Sequence, residues 1–233
     1  TVNVISKDNV VHTLNNFEKI NFKLGAGISS GDTMMRALGS GNATTFDWNK
    51  ITVENAADWA SGSTGAKRVK LYTGPSLTFN NYSLSGTTSG NFEYGKTTNT
   101  TTPTASTASA TEIYFDVNQF QNANVVQNTT GSGDLYGGTS TLGNTTNHNK
   151  LTLGAIWYGP VYGGYTQSAV GDSTDNEVII KNGAYVSSPP YHIYVGWSNQ
   201  GNAINNTITL NGAGTGANCN QLFGGYSNNP SAD

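Results

Sequence analysis

The sequence predicts an all-β protein: a single elongated, right-handed parallel β-helix (a β-solenoid) that is irregular in its first half and regular in its second. Two features of the composition favour strands over helices. Only 11% of the 233 residues are charged, so the lysines and glutamates that usually cover helix surfaces are scarce. Glycine is abundant, with 29 residues, and threonine, tyrosine and asparagine are frequent, which is typical of short strands separated by turns. The third observation is an internal repeat.

A short signature that begins with an aromatic residue and contains glycine occurs four times in the second half. It reads YGGTS from Tyr136, YGGYT from Tyr162, YVGWS from Tyr194 and FGGYS from Phe223. The intervals are roughly 30 residues, which lies in the range of solenoid repeats. The right hand of the predicted coil follows from the general chirality of parallel β connections.

An asparagine follows each of the first three signatures, after a polar loop, and precedes alternating apolar residues. The segments are NKLTL from Asn149, NEVII from Asn176 and NTITL from Asn206. We interpret each unit as one coil whose short strands point alternate side chains inward. We expect each corner asparagine to stack on its counterpart in the next coil, with the amides satisfying one another, and the aromatic residues to stack in the same way.

The first half contains short alternating strands without a regular repeat. Residues 96–111 are almost entirely threonine, serine and alanine around Pro103, which predicts a loose loop or an extended edge, with a glycosylated stalk as the alternative. We therefore predict one continuous domain, with an irregular solenoid segment at residues 1–111 and regular repeats at residues 112–233. The abrupt ends suggest a fragment of a longer protein, and the single cysteine, Cys219, excludes an intrachain disulfide.

The sequence offers little for catalysis or metal binding. Its three histidines lie far apart, without metal-ligand spacing. Asp172, Asp175 and Glu177 share one loop, which we interpret as a solvated corner rather than a calcium site because the EF-hand spacing is missing. The positions equivalent to Asp172 are Asn144 and Asn202, so no paired carboxylates for glycan cleavage are predicted. We expect no catalytic residue, no metal ligand and no cofactor.

Two loops that precede signatures combine aromatic residues with proline. They supply a candidate binding edge made of Trp157, Tyr158, Tyr185, Tyr191 and His192. In a solenoid these loops should emerge along the same side, where exposed rings could stack on sugars or anchor a protein partner. The alternative is that the rings fold back and cover the apolar seam of the coil.

The repeat units, such as VYGGYT followed by GDSTDNEVIIKNG, resemble those of type V autotransporter passenger domains, large surface adhesins of Gram-negative bacteria that include fusobacterial ones. The opening LNNFEKINFKL and the later SGDTMMRAL resemble segments found between repeat blocks in that family. The resemblance implies a long β-helix that is exported across the outer membrane and displayed at the cell surface. The family has no common catalytic motif, so the resemblance assigns no catalytic residue.

We therefore expect a non-enzymatic adhesin segment, either a rigid stalk or a receptor-binding portion, whose partner is a glycan or protein on a host-cell or bacterial surface. Self-association in aggregation or biofilm is the alternative, and a polysaccharide-processing β-helix is less favoured. A net charge of −3 gives no electrostatic basis for binding nucleic acid. The chain has no run of about 18 apolar residues, so direct membrane insertion of this segment is not expected.

Overall fold

The computed structural model confirms the predicted fold class. Strands make up 59% of the protein and helices 4%, and parallel sheets stack into a β-solenoid of about six turns. The structure describes residues 1–14, 17–39, 45–61, 66–84, 86–99, 107–167, 171–187, 191–212 and 221–229. Two compact units can be distinguished. The first contains Thr1–Ser63, Lys67–Ser89 and Tyr94–Val117, and the second contains Gly90–Glu93 and Asn118–Asp233.

The first ten strands belong to two sheets. They are β1 (Val2–Val4), β2 (Asn9–Val11), β3 (Ile20–Lys23), β4 (Thr33–Ala37), β5 (Thr45–Asp47), β6 (Ile51–Glu54), β7 (Lys67–Asn80), β8 (Gly86–Ser89), β9 (Phe92–Thr98) and β10 (Thr107–Gln119). A 3-10 helix (Trp48–Lys50) and the helix α1 (Ala56–Ser61) interrupt them. One sheet has the order β1-β3-β6, and the other begins β2-β4-β7.

The irregularity predicted for the first half has a specific form. Strand β7 pairs in parallel with β4 but antiparallel with β10, so the sheet departs from coil stacking at this point. Of the threonine- and serine-rich segment, residues 96–98 belong to β9 and residues 107–111 to β10, while residues 100–106 lie outside the described residues. Both flanks of this segment are therefore strands of the sheet.

The second unit consists of four stacks of parallel strands. They are built from β11 (Asn124–Gln127), β12 (Gly131–Ser132), β13 (Leu135–Ser140), β14 (Thr146–Asn147), β15 (Lys150–Leu153), β16 (Ile156–Tyr158), β17 (Val161–Thr166), β18 (Ser173–Thr174), β19 (Glu177–Lys181), β20 (Tyr185–Val186), β21 (His192–Ser198), β22 (Thr207–Asn211) and β23 (Gln221–Ser227). The orders are β11-β15-β19-β22, β12-β16-β20, β13-β17-β21-β23 and β14-β18. We call β13-β17-β21-β23 the signature sheet.

The register of the signature sheet confirms the repeat alignment made from the sequence. Tyr136 lies opposite Tyr162, Tyr162 opposite Tyr194, and Tyr194 opposite Phe223. Each signature is therefore one strand of one coil, and the unequal intervals between signatures are absorbed by the connections. Inside the coils, an apolar core includes Leu151 and Val178, both 0% exposed.

The predicted asparagine stacking is present as a chain of hydrogen bonds, which we call the asparagine ladder. Asn149 donates its Nδ2–H to Oδ1 of Asn176 (2.9 Å), and Asn176 donates in the same way to Asn206 (3.0 Å). The same oxygens accept backbone N–H groups, as Asn176 does from Asn149 (3.2 Å). Asn149 and Asn176 are only 1% exposed, so each carboxamide satisfies a buried corner and links two coils.

The residue before each ladder asparagine has a left-handed backbone conformation. His148, Asp175 and Asn205 have φ angles of 53°, 54° and 57°. Among residues with a side chain, asparagine, aspartate and histidine adopt this conformation most readily. The corner geometry thus accounts for the pairs HN, DN and NN in the sequence.

We expect Asn176→Ala to lower the free energy of unfolding by about 3 kcal/mol or more, because several buried groups lose their only side-chain partner. These include the backbone N–H and the side-chain amide of Asn149, which both donate to Oδ1 of Asn176, and the backbone carbonyl of Thr146, to which Asn176 donates at 3.1 Å. Denaturant-induced unfolding followed by circular dichroism measures the loss. Asn124→Ala, an exposed asparagine on β11, is the matched control and should change stability by less than about 0.5 kcal/mol. Equal effects of the two changes would contradict a supporting role for the ladder.

Candidate functional site

The outward side chains of the signature sheet form two columns of stacked aromatic rings, which we call the aromatic face. Column one is Tyr136, Tyr162, Tyr194 and Phe223, with ring centroids 5.1, 5.3 and 4.9 Å apart and interplanar angles of 18°, 9° and 7°. Column two is Tyr165, Trp197 and Tyr226, with centroids 4.4 and 6.4 Å apart. All seven side chains are half-buried, so each ring keeps part of its surface open.

The two columns also contact each other. Tyr162 packs edge-on against Tyr165 with centroids 4.8 Å apart and an interplanar angle of 66°, and Tyr194 packs against Tyr226 in the same manner at 5.5 Å. Stacking along a column and edge-to-face packing across columns are both favoured arrangements of aromatic pairs. The face is therefore one connected array rather than a set of separate rings.

Both aromatic positions of a signature face outward because the strand breaks its alternation between them: in β17 and β21 the two intervening residues are both buried, and the second of them is glycine in all four signatures. The positions lie three residues apart, and regular alternation would place them on opposite faces of the strand. In β17, however, Gly163 and Gly164 are both buried between the half-buried Tyr162 and Tyr165. A Cβ atom on Gly164 would lie 2.4 Å from Nδ2 of Asn176, so this glycine also makes room for the asparagine ladder. The ladder and the aromatic face thus depend on the same signature.

The polar tips of the face carry little charge. The strands β13, β17, β21 and β23 contain no lysine, arginine, aspartate or glutamate. Burial raises the pKa of the Tyr162 phenol, and the nearby Asp134 carboxylate raises it further. Burial likewise raises the pKa values of Tyr165 and Tyr194. A tyrosine phenol is neutral at physiological pH in any case, and the raised pKa values extend the neutral state to higher pH. At the first coil, the Tyr136 hydroxyl donates to Oδ2 of Asp134 at 2.8 Å.

Of the predicted binding edge, only His192 joins the aromatic face. Its ring packs edge-on against Tyr194 and Phe223 at 5.7 and 5.8 Å, and its buried Nδ1 has no hydrogen-bond partner among the described residues. Tyr158 is 45% exposed on β16. Tyr185 is half-buried on β20, and Tyr191 packs against the core.

The prediction that Trp157 lies on an exposed edge is wrong. This side chain is 8% exposed and belongs to the apolar core, and its indole N–H donates to the carbonyl of Gly133 at 2.7 Å. The physical reason lies in the preceding coil, where Gly131 leaves the space that the indole fills. A Cβ on Gly131 would lie 2.2 Å from Cζ3 of Trp157. The alternative interpretation, in which the ring folds back against the coil, is correct for Trp157.

The residues of column two were not predicted from the sequence. Stacking was predicted for the first aromatic residue of each signature, but Tyr165, Trp197 and Tyr226 were not singled out. The signal was available, because the position three residues after the first aromatic is itself aromatic in three of the four signatures. The first coil has Thr139 at this position, opposite Tyr165.

Several acidic residues of the second unit make contacts within it. Oδ1 of Asp172 accepts the backbone N–H of Asn202 at 2.7 Å, and Glu177 forms an ion pair with Lys150 at 3.0 Å. Glu93, which sequence reasoning did not single out, is 1% exposed and accepts the Ser140 hydroxyl at 2.8 Å, so it anchors the end of β13. In the described ranges, no three histidine, cysteine, aspartate or glutamate side chains group so that they could hold a metal ion.

No protein-family model, curated protein or solved structure matches the chain. The helices found within the described part of the chain are too short or too polar to cross a membrane.

We expect Gly164→Ala to destabilise the protein by about 1–3 kcal/mol, because the added methyl group would overpack the contact with Asn176. Gly224→Ala is the matched control. It lies in the last signature, where an added Cβ would meet nothing within 4 Å, and it should be nearly neutral. Thermal unfolding of both variants measures the difference. A Gly164→Ala variant as stable as Gly224→Ala would show that the signature glycine is not required for packing.

We also expect several of the twelve tyrosines to ionise above the usual value of 10.0 in the folded protein. Raised pKa values in the folded state mean that these phenols contribute stability below pH 10, and that this contribution is lost as the pH rises through the folded values. Phenolate absorbance titrated in native buffer and in denaturant measures the effect. Tyr162→Phe should remove one late-ionising group, and superimposable native and denatured titrations would contradict the expectation.

Proposed function

We propose that this chain is a non-enzymatic adhesive segment of a bacterial cell-surface protein of the autotransporter passenger type, and that the aromatic face is its binding surface. The observation that carries the proposal is the array of seven half-exposed rings in two contacting columns on one sheet. Contiguous aromatic surfaces of this kind mark interaction sites more often than isolated exposed residues do.

The residue types of the face suit binding. Tyrosine and tryptophan combine a large apolar ring with a polar tip, and both are enriched among the residues that contribute most to binding energy. Five of the seven rings are tyrosines, and the first aromatic position of the signature recurs in all four coils. A ligand that fits one coil therefore finds related groups on the next.

The face is also ordered before a ligand arrives. Each ring is held by stacked neighbours and by a strand that pairs with one or two others. Ordering mobile side chains when a ligand binds costs free energy. A surface whose side chains are already fixed therefore retains more of its contact energy. This rigidity supports a role in attachment at a cell surface.

Export and surface display rest on the resemblance of the repeats to passenger domains. One form of the alternative, self-association, would pair two solenoids side by side through their ladders of polar residues. Asn149 and Asn176 are 1% exposed and already bonded along the coil axis, so they are not accessible to a second copy.

The test is an adhesion assay with beads coated with the purified protein and applied to host epithelial cells and to bacteria. The variant Tyr165→Thr/Trp197→Thr gives two coils the residue that the first coil has at Thr139, so the strands should remain intact. We expect adhesion to fall by at least about tenfold, equivalent to about 1.4 kcal/mol of binding energy.

Tyr158→Ala is the control for this assay, because it removes an exposed aromatic ring from a different sheet. It should leave adhesion unchanged. Adhesion that survives the double change, or that is lost equally in the control, would rule out the aromatic face as the binding surface.

A further inference from the structure

We infer that the aromatic face binds an uncharged carbohydrate chain that lies along the two columns. The inference rests on the proposed function, because it names the ligand class of the same surface. It follows from the charge of the face, from its free hydrogen-bonding groups and from its repeat along the coil axis.

The signature sheet carries almost no charge. The four strands of the signature sheet carry no ionisable group other than tyrosine and His192. The carboxylate of Asp134 lies at the first coil, bonded to the Tyr136 hydroxyl. A polyanion, such as a nucleic acid or an acidic glycan, would find no cation on these strands to neutralise it. A neutral chain loses no charge solvation on binding.

The ring tips carry polar groups. Within the described part of the chain, the hydroxyls of Tyr162, Tyr165 and Tyr194 and the indole N–H of Trp197 form no hydrogen bond. A dry apolar partner would bury these groups without partners, which is unfavourable. A sugar offers hydroxyls that both donate and accept, together with C–H groups that pack on the open part of each ring. Carbohydrate therefore satisfies both parts of the face.

The rings of the aromatic face repeat along the coil axis. Rings in column one recur every 4.9–5.3 Å, close to the spacing of stacked strands. Four coils extend over three intervals of about 4.8 Å, or roughly 15 Å. A polymer of similar sugar rings meets equivalent groups at each coil, so its affinity should rise with chain length until it spans the face and should then level off.

The experiment is isothermal titration calorimetry with the whole chain. The probes are a soluble β-glucan, an α-mannan and a galactan, each as the neutral polymer, as size-fractionated oligosaccharides and as a carboxymethylated derivative. We expect at least one neutral polymer to bind at least about tenfold more tightly than its carboxymethylated form and than its disaccharide. Tyr165→Thr/Trp197→Thr should abolish this binding, and Tyr158→Ala should retain it. Circular dichroism of each variant confirms that it is folded.

Three outcomes would overturn the inference. Equal binding of neutral and carboxymethylated polymers would exclude recognition of an uncharged chain, and binding that survives the double change would place the site elsewhere. If no polymer binds while adhesion still depends on the aromatic face, the ligand is a protein and the proposed function stands without this inference. Sedimentation showing a dimer that the double change dissociates would identify that protein as a second copy. If neither adhesion nor glycan binding depends on the aromatic face, the proposed function is overturned as well.

Discussion

The second unit depends on hydrogen bonds between buried asparagine carboxamides of successive coils. A short coil cannot bury its own corner, and an unsatisfied backbone group there would be costly. The asparagine ladder solves this by joining Asn149, Asn176 and Asn206 to each other and to the backbone of adjacent coils. Because each amide completes the coil before it, every repeat provides the partner that the next one needs.

The packing of the asparagine ladder also affects the outer surface of the signature sheet. The carboxamides occupy the space left by the second signature glycine, as Asn176 does beside Gly164. The same glycine pair allows two aromatic residues of one strand to point outward. The array of rings is thus tied to the packing of the interior, and a change that disturbs one should disturb the other.

A surface organised in this way suits a ligand that is itself repetitive. The rings are held by stacking, the tyrosine phenols are neutral, and the strands beneath them lack lysine, arginine, aspartate and glutamate. The individual contacts of such a face are weak, but they recur coil after coil. Binding to a polymeric partner gains from such multiplicity.

The sequence by itself determined the fold class, the positions of the four signature strands and the stacking partners Asn149, Asn176 and Asn206, because these depend on residue types that recur in each repeat. It did not determine which aromatic residues are exposed. Trp157 and Tyr158 are adjacent, yet one fills the space above Gly131 in the core and the other is 45% exposed. Nor did it reveal the second column, because Tyr162 and Tyr165 share a side only when both residues between them are buried. Burial is set by what the neighbouring coil leaves vacant, and that is decided by the tertiary structure alone.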